Sequence, residues 1–206
     1  AEGATAENYN VYYDGNHGLT LRNVSITKYG WTRYGMDNYV TRGGMWAGIH
    51  TDGSINITLV GENVIQPAAA NGEFDATCAG IAVGNDYQSL SFYGDGNLVV
   101  WGGSSARNSF GVFTRSSVKL AGTGEIAIYG GVCGATYVSA GIYNQGSLED
   151  NVACVSAISG TVTVGTDHGY AASYGVYGKV ALSNSGHNAY SCNFTAFCNN
   201  ADVAVA

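Results

Sequence analysis

Charge is the property that this sequence has least of. Asp, Glu, Lys and Arg together make up only 11% of its 206 residues, less than half of their share in an ordinary soluble domain. Eight Lys and Arg stand against fifteen Asp and Glu, so the formal net charge is −7. Because nucleic-acid binding depends on a basic surface that neutralises phosphates, this composition excludes a nucleic-acid partner.

Proline and long apolar runs are also scarce. Proline occurs once, at Pro67, and no apolar run reaches the roughly 18 residues that span a membrane, so we expect no transmembrane segment. The 31 glycines interrupt nearly every segment before two helical turns are complete, which argues against a helical protein. With so little charge, solvent-facing positions must be filled by Asn, Ser, Thr, Gly and Tyr, a balance that favours an all-β extracellular protein.

The first residues and the cysteines bear on the compartment. The sequence opens with Ala1-Glu2-Gly3, as a product of signal-peptide cleavage or an excised fragment would, and we expect a secreted or cell-surface protein. Five cysteines without a Cys-x-x-Cys pair give no zinc-site spacing, and an odd number leaves at least one thiol outside any intrachain disulfide. We expect buried, small apolar cysteines rather than catalytic ones. They are Cys78, Cys133, Cys154, Cys192 and Cys198.

A short motif recurs roughly every 30 residues. It consists of a residue that is usually small, then glycine, then Ile or Val, as in Ala79-Gly80-Ile81 and Ala140-Gly141-Ile142. With degenerate copies near both ends, the last residue of the motif gives seven anchors that we expect to form one inward-facing stack. These anchors are Val11, Ile49, Ile81, Val112, Ile142, Val176 and Phe197.

Most repeats contain two further alternating runs after the anchor. Leu90 to Tyr93 and Leu98 to Val100, for example, are separated by the corner Gly94-Asp95-Gly96. Three short strands joined by corners describe a triangular coil, and stacking like strands buries Ile on Ile along the axis. The sequence therefore predicts a right-handed parallel β-helix, a β-solenoid with three strands per coil and about six full coils plus a partial seventh. We expect a single domain over 1–206, with an extended segment at 1–10, six coils at 11–195 and a truncated last coil at 196–206.

Two stretches are specific enough to suggest a family. GIHTDGSINITLVGEN at 48–63 and LTLRNVSIT at 19–27 resemble the parallel β-helix repeats of bacterial cell-surface proteins that are often described as carbohydrate-binding. The resemblance covers most of residues 11–183. It implies the β-helix fold and a carbohydrate-binding role at the cell surface, although solenoids serve as lyases, adhesins and fibres alike.

Insertions after the third strand decorate one corner of the predicted coil. The longest spans residues 28–45 and is rich in aromatic and polar side chains. Insertions along one edge of a solenoid commonly form its binding face, and aromatic rings beside Asp, Asn and Arg suit sugars, because rings stack on C–H faces while polar groups bind hydroxyls. We take Trp31, Arg33 and Tyr34 as candidate glycan contacts. The alternative is that these rings only pack the loop onto the coils.

The residue after each anchor should point outward, in a column with a coil spacing of about 4.8 Å. This column holds Tyr12, His50, Ala82, Phe113, Tyr143, Tyr177 and Cys198. We expect its exposed flat side chains to bind an extended polysaccharide or cell-surface glycan, with all members except Ala82 and Cys198 as contacts. Aromatic stacking that needs no ligand, worth about 0.2–1 kcal/mol per pair, is the structural alternative.

Catalytic and metal-binding patterns are weak. Pectate-lyase-like proteins share this general fold, and their chemistry needs a carboxylate-bound calcium and a basic residue, whereas the outward carboxylates here are scattered. We predict a non-enzymatic protein without a cofactor and keep a polysaccharide lyase as the remaining alternative. Asp14-Gly15, Asp52-Gly53 and Asp95-Gly96 are ordinary turn sequences that would bind calcium at most weakly.

Both ends of the predicted solenoid lack a cap. Val203 and Val205 supply a second strand of the seventh coil, and no third strand follows them. An unfinished apolar coil exposes strand edges. Either the sequence is a piece of a longer solenoid, or the N-terminal segment of another copy completes the coil by strand addition. The alternative function is therefore a filament subunit that stacks head to tail as a homopolymer. The expected interface residues are Phe197, Val203, Val205, Tyr9 and Val11.

Overall fold

A computed structural model of the protein describes residues 7, 9–32, 45–67, 77–84, 88–105, 107–115, 117–134, 136–145, 155–166, 172–178, 180–182 and 192–198. These residues form β-strands joined by turns, and no helix occurs among them. The strands, numbered in chain order, belong to three sheets that we call A, B and C.

The members of each sheet follow in spatial order. Sheet A contains β1 (Val11–Tyr13), β2 (Gly18–Arg22), β6 (Ile55–Val60), β9 (Ser89–Gly94), β12 (Ser117–Leu120), β15 (Val155–Ala157) and β18 (Val180–Leu182). Sheet B contains β3 (Ser25–Ile26), β7 (Glu62–Ile65), β10 (Asn97–Trp101), β13 (Glu125–Tyr129), β16 (Gly160–Thr166) and β19 (Cys192–Cys198). Sheet C contains β4 (Gly30–Thr32), β5 (Met45–Thr51), β8 (Thr77–Val83), β11 (Ser109–Thr114), β14 (Val138–Asn144) and β17 (Ala172–Tyr177).

The chain winds through the sheets in a constant order. From β6 to β17 it passes from sheet A to B to C in four successive turns, and each strand pairs parallel with its counterpart in the neighbouring turn. The protein is therefore a parallel β-solenoid of about four regular turns, which confirms the predicted fold class. The six full coils and partial seventh of the prediction are not confirmed, and the right-handed winding stays a prediction.

The interior is filled by the alternate residues of sheets A and B and by the inward-facing residues of sheet C. In β10, Leu98 and Val100 lie in the core, while Asn97, Val99 and Trp101 face outward. The same alternation runs through β13 and β16, so branched apolar side chains stack on their counterparts from turn to turn. Fully burying one such side chain contributes about 1.5–3 kcal/mol, which makes this column-by-column packing the main source of stability.

The predicted anchor stack is confirmed in its central part. Ile49, Ile81, Val112, Ile142 and Val176 are consecutive partners in sheet C. All five face the main core, in which Ile49 is only partly buried. The two terminal anchors do not belong to this stack.

Val11 lies in sheet A rather than sheet C, because β1 folds back on β2 as an antiparallel hairpin. Val11 pairs with Leu21, and Tyr13 pairs with Leu19. The reversal is set by Asp14, whose Oδ1 accepts hydrogen bonds from the backbone N–H of Asn16 at 2.6 Å and Gly18 at 2.9 Å. Gly15 in this turn has φ +84°, a conformation that glycine adopts without strain. Local turn chemistry therefore overrides the apparent repeat.

Phe197 lies in sheet B, because β19 continues the third-strand column and not the anchor column. Phe194 pairs with Val162 and Ala196 with Val164, in parallel with β16. The pair Ala196-Phe197 lacks the glycine of the motif, which in β5, β8, β11 and β14 leaves room for a side chain of sheet B.

The motif glycine allows sheet C to approach sheet B. A Cβ atom on Gly111 would lie 2.5 Å from Cγ2 of Ile128 and 2.7 Å from the carbonyl oxygen of Gly141. Gly48, Gly80 and Gly141 face the corresponding side chains of sheet B in the same way, namely Ile65, Val100 and Val164. Each glycine and the residue after it both face the interior, so the strand bends at this point.

We expect Gly111→Ala to lower the free energy of unfolding by about 1–3 kcal/mol, because the added methyl group overpacks the contact with Ile128. Gly53→Ala is the matched control: its Cβ would meet only the His17 ring, at 3.9 Å, and we expect a change within about 0.5 kcal/mol. Urea denaturation followed by circular dichroism measures both. Equal midpoints for the two variants would show that the close approach is not required.

Candidate functional site

The predicted outward column exists on the outer face of sheet C, in its central part. His50, Ala82, Phe113, Tyr143 and Tyr177 are consecutive cross-strand partners from β5 to β17. All of them except His50 belong, together with the residue before each motif glycine, to a second apolar cluster outside the main core. The predicted register and outward direction are therefore confirmed for these five positions.

The aromatic rings of this face stack along the axis. The rings of Phe113 and Tyr143 are nearly parallel, at 9°, with centroids 6.1 Å apart, and Tyr143 and Tyr177 are equally parallel at 4.6 Å. Phe110 from the neighbouring column stacks on Tyr143 at 4.6 Å, in the space beside the small side chain of Ala140. Alternation of large and small side chains lets the rings interlock.

Most of this column is buried, and the predicted exposed ladder is wrong in this respect. Ala82 and Phe113 have no exposed surface, and Tyr143 is only 6% exposed. The reason is that side chains of several strands pack together on the outer face of sheet C and form the second apolar cluster. The alternation within one strand indicates which residues face outward, but not that they are buried by neighbouring strands. Phe113 therefore lies out of reach of a ligand in this structure.

Tyr174 and Tyr177 on β17 are half-buried aromatic members of the cluster. Their centroids are 4.8 Å apart with the planes tilted by 57°, so the two rings form an angled pair. Burial, and to a lesser extent Tyr177, raises the pKa of Tyr174. Since β17 is the last described strand of sheet C, Tyr177 ends the described stack, with Tyr143 against one of its faces.

His50 begins the column at the other end. Its Nε2 lies 3.4 Å from Oδ1 of Asp52, and its side chain is 24% exposed. Burial lowers the pKa of His50, although the Asp52 carboxylate opposes the shift. His50 is thus a partly exposed polar group at the rim of an apolar face.

The remaining predicted glycan contacts are dispersed or undescribed. Tyr12 pairs with Thr20 in sheet A and is not in the column. Trp31 lies in β4, which runs antiparallel to β5, and it pairs there with Trp46. The side chain of Trp31 lies outside the described part of the structure. Arg33 and Tyr34 lie outside the described residues.

Some of the predicted assembly residues lie outside the described part of the structure, and the others are exposed. Val203 and Val205 lie outside the described residues, as does the side chain of Phe197. Tyr9 and Val11 are exposed, by 42% and 50%, and Tyr13 beside them is 56% exposed. Val11 and Tyr13 lie on the same side of the sheet as the core leucines of β2 with which they pair, so they extend the apolar interior to an open end.

Buried polar side chains hold the corners together. Asn63 accepts a hydrogen bond from the N–H of Val24 at 3.1 Å and donates to the carbonyl oxygens of Val60 and Asn97 at 3.2 Å. At the corner between sheets B and C, the hydroxyl oxygens of Ser139 and Thr166 lie 2.8 Å apart. These groups satisfy backbone and side-chain polar atoms inside the fold, as buried polar groups must.

The side chains of two cysteines, Cys78 and Cys133, are described; both are buried, as predicted, and neither forms a disulfide. Burial raises the pKa of the Cys133 thiol to about 12, and an un-ionised thiol is a poor nucleophile. Cys154 lies outside the described residues, and so do the side chains of Cys192 and Cys198.

Metal-binding groups are dispersed in the described part of the chain. No group of three or more His, Cys, Asp or Glu side chains comes close enough there to hold a metal ion. The Asp14 carboxylate is occupied by the hairpin turn, whose N–H groups lower its pKa. Within the same residues, no helix is long and apolar enough to cross a membrane.

Sequence reasoning missed an aromatic pair on the outer face of sheet B. Trp101 ends β10, Tyr129 ends β13, and the two are cross-strand partners. Their ring centroids are 4.4 Å apart, with the planes tilted by 32°. The signal was present, because two alternating runs of five residues each end in an aromatic residue.

Comparison with known proteins adds no assignment. No protein-family model, no curated protein and no solved structure matches the chain. The resemblance to bacterial cell-surface β-helix repeats therefore stays a prediction, and the function must be argued from the surfaces themselves.

We expect Phe113→Ala to lower the free energy of unfolding by about 3–5 kcal/mol, the cost of removing a fully buried ring. Tyr13→Ala, at an exposed position, should change it by about 0.5 kcal/mol or less. Chemical denaturation of both variants measures the difference. A Phe113→Ala protein as stable as the wild type would contradict the buried outer layer.

Proposed function

We propose that the chain is a secreted, non-enzymatic β-solenoid of the cell surface that adheres to glycans through aromatic side chains. The observation that carries this proposal is the angled pair of Tyr174 and Tyr177 at the end of the buried stack. Both rings are half-buried, so each combines a fixed position with remaining accessible surface.

A sugar ring suits this arrangement chemically. The C–H groups of a pyranose pack on the face of an aromatic ring, while the phenolic hydroxyls donate and accept hydrogen bonds with sugar hydroxyls. The stack from Phe113 through Tyr143 holds the Tyr177 ring in place before any ligand arrives. Such preorganisation lowers the entropic cost of binding.

The low charge of the chain supports an adhesive role at a sugar surface. A net charge of −7 with few cations gives no electrostatic attraction to nucleic acid or to acidic polymers. Catalysis has less support, because no three His, Cys, Asp or Glu side chains come together in the described part of the chain. A polysaccharide lyase remains the enzymatic alternative.

Glycan retention tests the proposal directly. On a glycan array, and by affinity electrophoresis with the glycans that the array identifies, we expect Tyr177→Ala to weaken binding about tenfold through loss of the stacking surface. Tyr177→Phe keeps the ring and should retain most of the affinity. Tyr93→Ala, on the outer face of sheet A, is the control and should bind like the wild type.

Retention that is unchanged in Tyr177→Ala would reject the tyrosine pair as a glycan site. Growth of ultraviolet absorbance from unsaturated products on polygalacturonate would instead favour the lyase.

A second candidate function, end-to-end assembly into an extracellular filament, rests on the apolar N-terminal end. Tyr9, Val11 and Tyr13 are large apolar side chains that are 42–56% exposed, and two of them continue core columns. Contiguous exposed apolar surface of this kind is typical of an interaction site. The opposite end of another copy carries the parallel strands β17, β18 and β19 at the described limits of the three sheets.

Sedimentation velocity over a range of concentrations tests this assembly. We expect the wild type to associate as concentration rises and Tyr13→Asp to stay monomeric, because a buried, unpaired carboxylate opposes the contact. Val132→Asp is the matched control, since Val132 is 40% exposed and lies in the corner after β13, and it should associate like the wild type. A wild type that is monomeric throughout the range would rule the filament out.

A further inference from the structure

The outer face of sheet B carries three columns of side chains that run along the solenoid axis. The columns are formed by residues in register on β10 and β13, and β7 adds Glu62 and Val64 to the first two. The first column is polar, the second consists of small apolar residues, and the third is aromatic over two turns. The side chains that matter are Glu62 and Glu125, then Val99 and Ala127, then Trp101 and Tyr129.

The heights of these columns make a shallow groove. Val99 and Ala127 are short and half-buried, whereas the flanking glutamates and aromatic rings are long. Because successive turns repeat every 4.8 Å or so, the groove runs lengthwise and offers similar contacts at regular intervals. An extended polymer with a short repeat fits such a surface better than a compact molecule does.

The polar wall is held in place by hydrogen bonds. Asn97 lies between the two glutamates and donates from Nδ2 to Oε1 of Glu62 at 2.7 Å. Its Oδ1 accepts from the backbone N–H of Glu125 at 2.8 Å. The Glu62 carboxylate is therefore held beside Asn97, and both glutamates, which are exposed, present carboxylate oxygens as hydrogen-bond acceptors.

The aromatic wall is equally ordered. Trp101 and Tyr129 stack on each other with centroids 4.4 Å apart, and both stay half-buried. The described strands of sheet B place no Lys, Arg or His on this outer face. The groove is therefore apolar on one side and acidic on the other, without a compensating cation on those strands.

We propose that this groove binds a neutral, extended hexose polymer that lies along the solenoid axis. Its hydroxyls donate to the glutamate carboxylates, and its C–H groups pack against Trp101 and Tyr129. Polymers of uronic acids or sulfated sugars are repelled by Glu62 and Glu125. An extended peptide would instead pair with the edge of a sheet, and this surface is a sheet face. The inference rests on the proposed glycan-binding function and adds a second site and the class of glycan.

Affinity electrophoresis in native gels containing galactomannan, a neutral probe, or polygalacturonate, an anionic one, tests the groove. We expect galactomannan to retard the wild type and polygalacturonate to leave its mobility unchanged. Trp101→Ala should weaken retardation by galactomannan about tenfold. Glu62→Gln/Glu125→Gln, at exposed positions that do not endanger folding, should weaken it as well. Glu62→Lys/Glu125→Lys should gain retardation by polygalacturonate.

The two glycan proposals fail in different ways. If Tyr177→Ala abolishes retardation while Trp101→Ala and the Gln variant bind like the wild type, the groove is wrong and the tyrosine site stands. If the wild type binds polygalacturonate as well as galactomannan, the proposed selectivity is wrong. If neither probe nor any glycan on the array binds, both proposals fall. A change in sedimentation caused by Trp101→Ala alone would identify the face as a contact between copies and overturn the groove.

Discussion

The close approach of sheets B and C at the motif glycine is the constraint on which the rest of the structure depends. At Gly111 there is no room for a side chain, because Ile128 fills the space that a Cβ would need. The strand therefore turns two successive residues inward, and the neighbours on both sides point out. This single bend closes each turn, and it also places Phe110 and Phe113 in one outer layer, where rings interlock between turns.

The repeated part of the fold could be predicted because three independent features of the sequence indicate the same architecture. Alternation marks the strands, glycine marks the bend, and the period aligns Ile81 with Val112 and Ile142. The ends could not be predicted from the period. At Val11 the Asp14 turn reverses the strand, and at Phe197 the apparent anchor lacks the glycine that defines the bend. Val11 and Phe197 resemble the anchor residues in type, but neither follows a glycine that makes room for sheet B, and their assignment to the anchor stack was therefore wrong.

The candidate sites were harder to predict, since exposure depends on what covers a face and not on the face alone. The column through Phe113 and Tyr143 has the expected direction, yet both residues are buried. By contrast, the predicted run Leu98 to Val100 stops one residue short of Trp101, so the alignment of Trp101 with Tyr129 across turns was overlooked.

The direction of the strands also differs between the body of the solenoid and its beginning. Sheets A and C both start with a short antiparallel strand, β1 and β4, whereas the later strands of all three sheets run parallel. In the body, each turn contacts only the turns beside it. Duplicating a segment that begins and ends at equivalent points of two turns therefore lengthens the solenoid without altering its cross-section. At the start, the reversed strands offer no equivalent point at which a copied turn can be joined. Internal duplication can therefore lengthen the parallel body of the solenoid, but not the reversed strands at its beginning.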